Sequence, residues 1–218
     1  MIDQHHASLR GPVLVTGGTG FIGGRLIERL VLEMKCRVRV LVRNFASAAR
    51  VATLPVDLRY GDVTDAQAVR RAAEGCSSIF HCAYGNSGSP RVRRAVNVEG
   101  ARNALDAALA AGLERLVFLS TVMVYGSTPE GDLDETAPRR RTGGTYGDSK
   151  LEAEVLAMSY FNRHRLPVAI LQPTTVYGPY APYWTTAFLR ALKKSRIILI
   201  DGGEGSVTPS TWMTWSVP

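Results

Sequence analysis

Thr16-Gly17-Gly18-Thr19-Gly20-Phe21-Ile22-Gly23 joins a short apolar run, Pro12-Val13-Leu14-Val15-Thr16, to a stretch with helical spacing. In that stretch, Phe21 to Lys35, the residues Ile22, Leu26, Leu30 and Val31 share one face. Glycines at 17, 20 and 23 let the backbone turn tightly and approach a ligand closely. The helix start that follows offers free N–H groups and the positive end of its dipole. Alone, a glycine-rich turn is a weak signal. Lying after a strand and before a helix, it reads as a dinucleotide-binding turn, with Gly17, Gly20, Phe21, Ile22 and Gly23 around a pyrophosphate.

Working outward, strand-like and helix-like stretches alternate with short breaks. Val38 to Val42 and Val56 to Tyr60 read as the second and third strands, and Asp65 to Glu74 as a short helix with Thr64 as its N-cap. Ser78 to Cys82 is a fourth strand, and Val92 to Ala111 a long alanine-rich helix closed by Gly112. Leu116 to Thr121 is a fifth strand, Tyr146 to His164 a helix and Val168 to Leu171 a sixth strand. The expected fold is α/β, a Rossmann-type doubly wound parallel sheet. Residues 1–11 form a polar extension, 12–179 a dinucleotide-binding domain in which the first 172 residues read as one doubly wound unit, and 180–218 the start of an incomplete C-terminal substrate-binding region. Ile197 to Ile200 is read as a further strand.

Composition narrows the function classes. The chain has 218 residues, 45% hydrophobic and 21% charged, which suits a globular domain and excludes a disordered one. The net charge of +7 comes from scattered arginines, with no basic block beyond Arg139-Arg140-Arg141. Such a surplus suits an anionic small molecule better than a nucleic-acid groove. The three cysteines form no CxxC pair, so neither a disulfide framework nor a metal site is indicated. Cys36 and Cys82 read as small buried hydrophobes, and Arg139 to Arg141 as a solvated loop. No apolar run approaches a membrane span, and the polar start is unlike a signal peptide. A cytoplasmic protein, with no membrane or nucleic-acid partner, is expected.

Two further places carry chemistry. At the end of the second strand, Leu41-Val42-Arg43-Asn44 has no acid to read a ribose hydroxyl. Arg43 there pairs with a 2′-phosphate or is a solvated loop arginine, so NAD and NADP both stay open with NADP favoured. Gly61-Asp62-Val63 fits an adenine contact, with Asp62 accepting from an amino group or serving as a plain turn acid. Tyr146-Gly147-Asp148-Ser149-Lys150 puts a tyrosine and a lysine on one helical face, 25 residues after Ser120-Thr121. A neighbouring ammonium and an oxidised nicotinamide favour the phenolate, so Tyr146 is expected to titrate towards neutrality and exchange a proton with an alcohol or carbonyl. Thr121 would hydrogen-bond the same oxygen.

These motifs resemble the extended short-chain dehydrogenase/reductases, the NAD-dependent epimerase/dehydratase family. The resemblance runs from Pro12 to about Gly205 through TGGTGFIG, GDVTD, FHCA, NVEGARN, STVMVYG, YGDSK and Gln172-Pro173-Thr174-Thr175-Val176-Tyr177-Gly178-Pro179. It implies Thr121, Tyr146 and Lys150 as catalytic residues, with Lys150 also on the nicotinamide ribose and Thr121 on the substrate. Ala83 and Pro173 would line the cofactor, and Asn97 would brace the site or touch substrate. His81 is expected to pack near the cofactor without a catalytic role. Gln172 departs from the family's usual arginine. The 4,6-dehydratase branch carries an Asp-Glu pair where this chain has Val122-Met123, so dehydration, and decarboxylation likewise, are set aside. A 4-epimerase acting on a nucleotide sugar is the implied activity. An NADPH-dependent carbonyl reductase of the dihydroflavonol type, or a cofactor-binding fragment without catalysis, are the alternatives. The helices after the fourth and fifth strands resemble the family's four-helix homodimer interface.

The end of the chain breaks the pattern. Family members carry a hydrophobic-Asp-Asp-hydrophobic segment soon after the Gly-x-Gly. Trp and Met have single codons, so reading Thr211-Trp212-Met213-Thr214-Trp215 one nucleotide earlier forces [Leu/Val/Met]-Asp-Asp-[Leu/Val/Met]. The expectation is that the last dozen or so residues are read in a shifted frame, which would make the chain a truncated product.

Overall fold

The computed structural model describes residues 11–126, 133–196 and 209–211 and forms two compact units, Met1–Gln172 and Pro173–Pro218. The sequence reading set the boundary of the dinucleotide-binding domain at 179. The structure divides the chain at the end of the sixth strand.

The first unit is built on β1 (Val13–Thr16), whose four residues are all buried. Its Val-rich run pairs in parallel with β2 (Val38–Val42) on one side and β4 (Ser78–His81) on the other. β3 (Val56–Tyr60) lies beyond β2, while β5 (Arg115–Leu119) and β6 (Val168–Leu171) lie beyond β4. The order is β3-β2-β1-β4-β5-β6, a six-stranded parallel sheet. Strand order reverses between β1 and β4, where such sheets open a crevice at the carboxyl ends of their strands. Thr16 pairs with His81, so the loops leaving β1 and β4 start side by side.

Alternation along β1 sends Leu14 to one face and Val13 and Val15 to the other. Leu14 joins Ile79, Leu105, Leu116 and Phe118 in one core; Val13 and Val15 join Ile27, Leu30, Val38 and Val40 in the second. Each fully buried aliphatic side chain contributes about 1.5–3 kcal/mol, so the middle of the sheet is the anchored part. Both faces are covered by helices: α1 (Phe21–Leu32) on one, α2 (Ala66–Ala73), α4 (Gly100–Ala110) and α5 (Thr145–His164) on the other.

Three local readings are corrected. α1 ends at Leu32 rather than Lys35, which sits at φ 55 outside the helix. The α2 cap is Asp65, whose carboxylate accepts from Gln67 N at 2.9 Å and Ala68 N at 3.1 Å. Thr64 instead donates its N–H and hydroxyl to Asp62 Oδ1, each at 2.8 Å. The predicted helix from Val92 to Ala111 is three pieces: α3 (Pro90–Arg94), a π-helical stretch at Ala95–Glu99, and α4. π-Bulges re-aim side chains, and this one contains the buried Asn97.

In the second unit β7 (Thr175–Tyr177) pairs in parallel with β8 (Pro209–Thr211), and α6 (Phe188–Lys193) continues a π-helical turn at Pro182–Ala187. The strand predicted over Ile197 to Ile200 and residues 212–215 of the shifted-frame reading lie outside the described residues.

Candidate active site

The glycine turn is held by its own backbone. Gly17 has φ 70, and a Cβ there would lie 2.6 Å from both Ala83 N and Cys82 C. A Cβ at Gly23 would lie 2.4 Å from Gly17 O. Gly20 N donates to Gly17 O at 3.0 Å, and Gly20 precedes α1 without a side-chain cap. The first turn of α1, carrying Phe21 and Ile22, thus begins with backbone N–H groups that no cap side chain occupies. This geometry fits an anionic pyrophosphate. The close approach of Gly17 to Ala83 ties the carboxyl end of β4 to the same crevice.

At the ends of β2 and β3, Arg43 Nη1 lies 3.7 Å from Asp62 Oδ2, both side chains exposed. Exposed pairs of this kind contribute little stability and yield readily to a ligand. Val63 is different: it is buried beneath Gly100, and its carbonyl accepts from Asn103 Nδ2 at 2.8 Å, so its side chain belongs to the core.

Thr121, Tyr146 and Lys150 come together at the carboxyl end of β5. Thr121 is 6% exposed, accepts from Met123 N at 3.3 Å and has its hydroxyl close enough to the Tyr146 phenol to influence its ionisation. Lys150 is 2% exposed; its Nζ donates to Leu119 O at 2.8 Å and stands 5.0 Å from the Phe118 ring centroid. Burial pulls its ammonium down to about 8, opposed by the negative influence of Cys82 and Glu154. Within the chain itself, burial pushes the Tyr146 phenol above its ordinary value and the Thr121 hydroxyl opposes this, while Lys150 donates to Leu119.

Asn97 is a brace. It is 1% exposed; its Oδ1 accepts from Gly85 N at 2.8 Å and its Nδ2 donates to Ser149 Oγ at 2.8 Å. Ser149 Oγ donates to the Tyr146 carbonyl at 2.9 Å. The chain of bonds fixes the loop after β4 against the start of α5, where the Tyr84 ring meets Tyr146 edge-on with centroids 5.7 Å apart. With both polar atoms engaged and the residue buried, the structure shows Asn97 in this internal role. Pro173 opens the second unit.

Several residues were misread or missed. Arg139 lies on an exposed loop, as read, but its Nε reaches inward to 2.8 Å from Glu154 Oε2, and Glu154 is 1% exposed. Glu154, absent from the sequence reading, also accepts from Gln172 Nε2 at 2.9 and 3.1 Å, while Gln172 Oε1 accepts from Tyr125 OH at 2.8 Å. Its spacing of four from Lys150 was the available signal. His81 is fully buried, with Nδ1 2.9 Å from Thr16 Oγ1 and its ring stacked on Phe118. Burial, aided by Lys150, drives it down to about 3, so it stays neutral. Among the cysteines it is Cys76 that is buried; Cys36 and Cys82 are half-buried. Among the described residues no cluster of three or more His, Cys, Asp or Glu is arranged for a metal ion, and no helix is long and apolar enough to cross a membrane.

The fold has counterparts among solved structures. A dTDP-glucose 4,6-dehydratase of Streptomyces venezuelae, solved with NAD and TYD bound, superposes with a TM-score of 0.81 at 28% identity, covering 93% of this chain and 68% of that one. Among curated proteins, a putative dihydroflavonol 4-reductase of Synechocystis sp. is 35% identical over 183 residues, 81% of this chain. The dTDP-D-glucose 4,6-dehydratase of Mus musculus is 32% identical over 206 residues, 87% of this chain. The chain spans 52% and 58% of the lengths of these two relatives. Dehydratases among the relatives remove the support for setting dehydration aside on Val122 and Met123. Residues 13–206 match the NAD dependent epimerase/dehydratase family as a whole. With a parallel sheet in the order β3-β2-β1-β4-β5-β6 and this breadth of similarity, the chain belongs to that family.

Proposed function

We propose that the chain is an NAD(P)-dependent oxidoreductase or epimerase that acts at one carbon of a nucleotide-linked sugar, with Tyr146 as its acid and base. The observation that carries this reading is the convergence of Thr121, Tyr146 and Lys150 at the end of β5. In it, Gly17, Gly20, Phe21, Ile22 and Gly23 hold the pyrophosphate, and Asp62 and Ala83 line the remainder of the cofactor. Arg43 gives a preference for NADP by leaving Asp62 for a 2′-phosphate. When bound, the nicotinamide supplies a reversible hydride acceptor. Tyr146 takes the proton of the substrate alcohol as the carbon is oxidised, and returns it on reduction. Thr121 hydrogen-bonds the same oxygen, and Lys150 keeps positive charge beneath the phenolate and holds the nicotinamide ribose. Asn97 and Ser149 keep Tyr146 in place. Two copies pair through the α4 and α5 faces, which expose Leu109, Val155, Met158 and Phe161. The cytoplasm is the proposed location.

A second reading, a one-way NADPH carbonyl reductase, is supported by the 35% identity to a putative dihydroflavonol 4-reductase. The test is titration with NAD(H) and NADP(H), followed by turnover of nucleotide sugars with cofactor consumption recorded. Epimerisation uses no net cofactor; the reductase consumes it stoichiometrically; a dehydratase product would displace both. Tyr146→Phe is expected to keep cofactor affinity and lose turnover by about 100-fold or more. Unchanged turnover would refute the role of Tyr146, and saturable cofactor binding without turnover in the unaltered chain would favour the non-catalytic alternative.

A further inference from the structure

One buried charge has no part in the reading above. Glu154 lies one helical turn beyond Lys150 on α5 and is withdrawn from solvent as completely as the lysine. Every hydrogen-bond partner of its carboxylate given above is a donor: the Arg139 guanidinium and the Gln172 amide. That pattern belongs to an ionised carboxylate, and burying one without a cation would cost several kcal/mol. Three elements converge on it. Arg139 comes from the loop preceding α5, Glu154 from α5, and Gln172 from the end of β6, with Tyr125 behind Gln172.

We propose that Glu154 is a positioning residue for the Tyr146–Lys150 pair: held ionised by Arg139 and Gln172, its buried carboxylate keeps the Lys150 ammonium charged. The inference rests on the reading of Tyr146 and Lys150 as the working pair. Lys150 needs such a counter-charge because its surroundings otherwise disfavour an ammonium. The Leu119 carbonyl and Phe118 ring from β5 stabilise the charge. His81 is neutral and Cys82 is a thiol driven up to about 12, so neither supplies a full negative charge from the β4 end. Tyr146 on α5 is protonated at neutral pH until its proton is transferred. Glu154 is therefore the carboxylate acting on this lysine among these groups, its charge offset in part by the Arg139 guanidinium bonded to it. Because Arg139 is on a loop, the same contact links the seating of residues 133–144 to the charge state of the site.

The experiment reads the lysine directly. The chain has four lysines, Lys35, Lys150, Lys193 and Lys194, so ε-carbon-labelled lysine gives a countable NMR spectrum in which Lys150→Arg identifies one signal. The unaltered protein should show Lys150 titrating near 8. In Glu154→Gln, which keeps shape and removes charge, it should titrate about one pH unit lower, roughly a tenfold change in ionisation constant. The alkaline loss of NAD(P)H affinity, followed by cofactor fluorescence, should begin about one unit earlier. Glu154→Asp restores the charge and should return most of both shifts, and it stands in for the glutamine variant if that fails to fold, then shifting by a smaller amount in the same direction. A Lys150 titration within about 0.3 unit of the unaltered protein in a folded Glu154→Gln variant overturns the proposal. A shifted lysine with an unshifted cofactor profile overturns its positioning role. An unaltered chain with no saturable cofactor binding overturns the proposed function, and the positioning role with it.

Discussion

Replacing Gly17 by alanine should cost stability for two separable reasons, and neighbouring glycines isolate each. Gly17 occupies φ 70, a left-handed conformation that costs an L-residue about 1–2 kcal/mol. Its new Cβ would also sit 2.6 Å from Ala83 N and Cys82 C, both backbone atoms that move only if the end of β4 moves. Forced overpacking of this sort adds about 1–3 kcal/mol, for a total of about 2–5 kcal/mol. Gly112→Ala serves as the control for strain alone: φ is 59 there and nothing lies within 4 Å of the added atom. Gly23→Ala serves for overlap alone, since its Cβ meets Gly17 O at 2.4 Å. Urea unfolding of the three variants, with a common slope, gives the differences. The expected order places Gly17→Ala lowest, and cofactor affinity should fall with Gly17→Ala and Gly23→Ala but not with Gly112→Ala. A Gly17→Ala variant within about 0.5 kcal/mol of Gly112→Ala would refute the close approach of the turn to β4.

His81 is lowered from its unfolded value of 6.5 to about 3. The unfolded chain therefore binds a proton that the folded chain does not across that window, and stability should fall as pH drops through it by up to about 1.4 kcal/mol per unit; His81→Leu should flatten that slope in melts from pH 7 to 4. Lys150 acts in the same sense in an alkaline window: between about 8 and 10.5 the unfolded chain holds the extra proton, so stability rises with pH there, and below 8 the buried ammonium costs about 3 kcal/mol. Lys150→Met removes that cost but strands the Leu119 carbonyl, at about 1–3 kcal/mol, so it should be neutral to about 2 kcal/mol more stable at pH 7 while inactive; a loss above about 1 kcal/mol would contradict a burial cost on the ammonium. Asn97→Leu cuts the bridge from Gly85 to Ser149, leaving the half-buried Gly85 N–H without this partner and Ser149 Oγ with its bond to the Tyr146 carbonyl alone, and should cost about 1–3 kcal/mol in unfolding experiments, with a larger fall in kcat than rise in KM if the bridge serves Tyr146. Equal effects on both parameters would count against that assignment.

What the sequence by itself determined is what is local or periodic. The β1–turn–α1 junction, the strand cores at Val38–Val42 and Val56–Tyr60, and the i, i+4 relation of Tyr146 to Lys150 follow from residue spacing and from what glycine permits. The meeting of Thr121 with Tyr146 was legible too, through an ordered set of family motifs. Other features needed the tertiary structure, because they depend on partners far away in the chain. Arg139 is exposed, as its loop suggests, and only the fold shows its guanidinium covering the buried Glu154 15 residues on. Gln172 is an unexplained departure until its amide is found on the same carboxylate. The cap of α2 passed from Thr64 to Asp65 because the turn at Asp62 had already claimed the threonine. Asn97 became a brace because a π-helical stretch and the Gly85 loop met at it. Charge on Lys150, finally, is a matter of burial and neighbours: an isolated helix would leave it an ordinary surface lysine, and only the packing of α5 against β5 lowers it and makes a buried anion necessary.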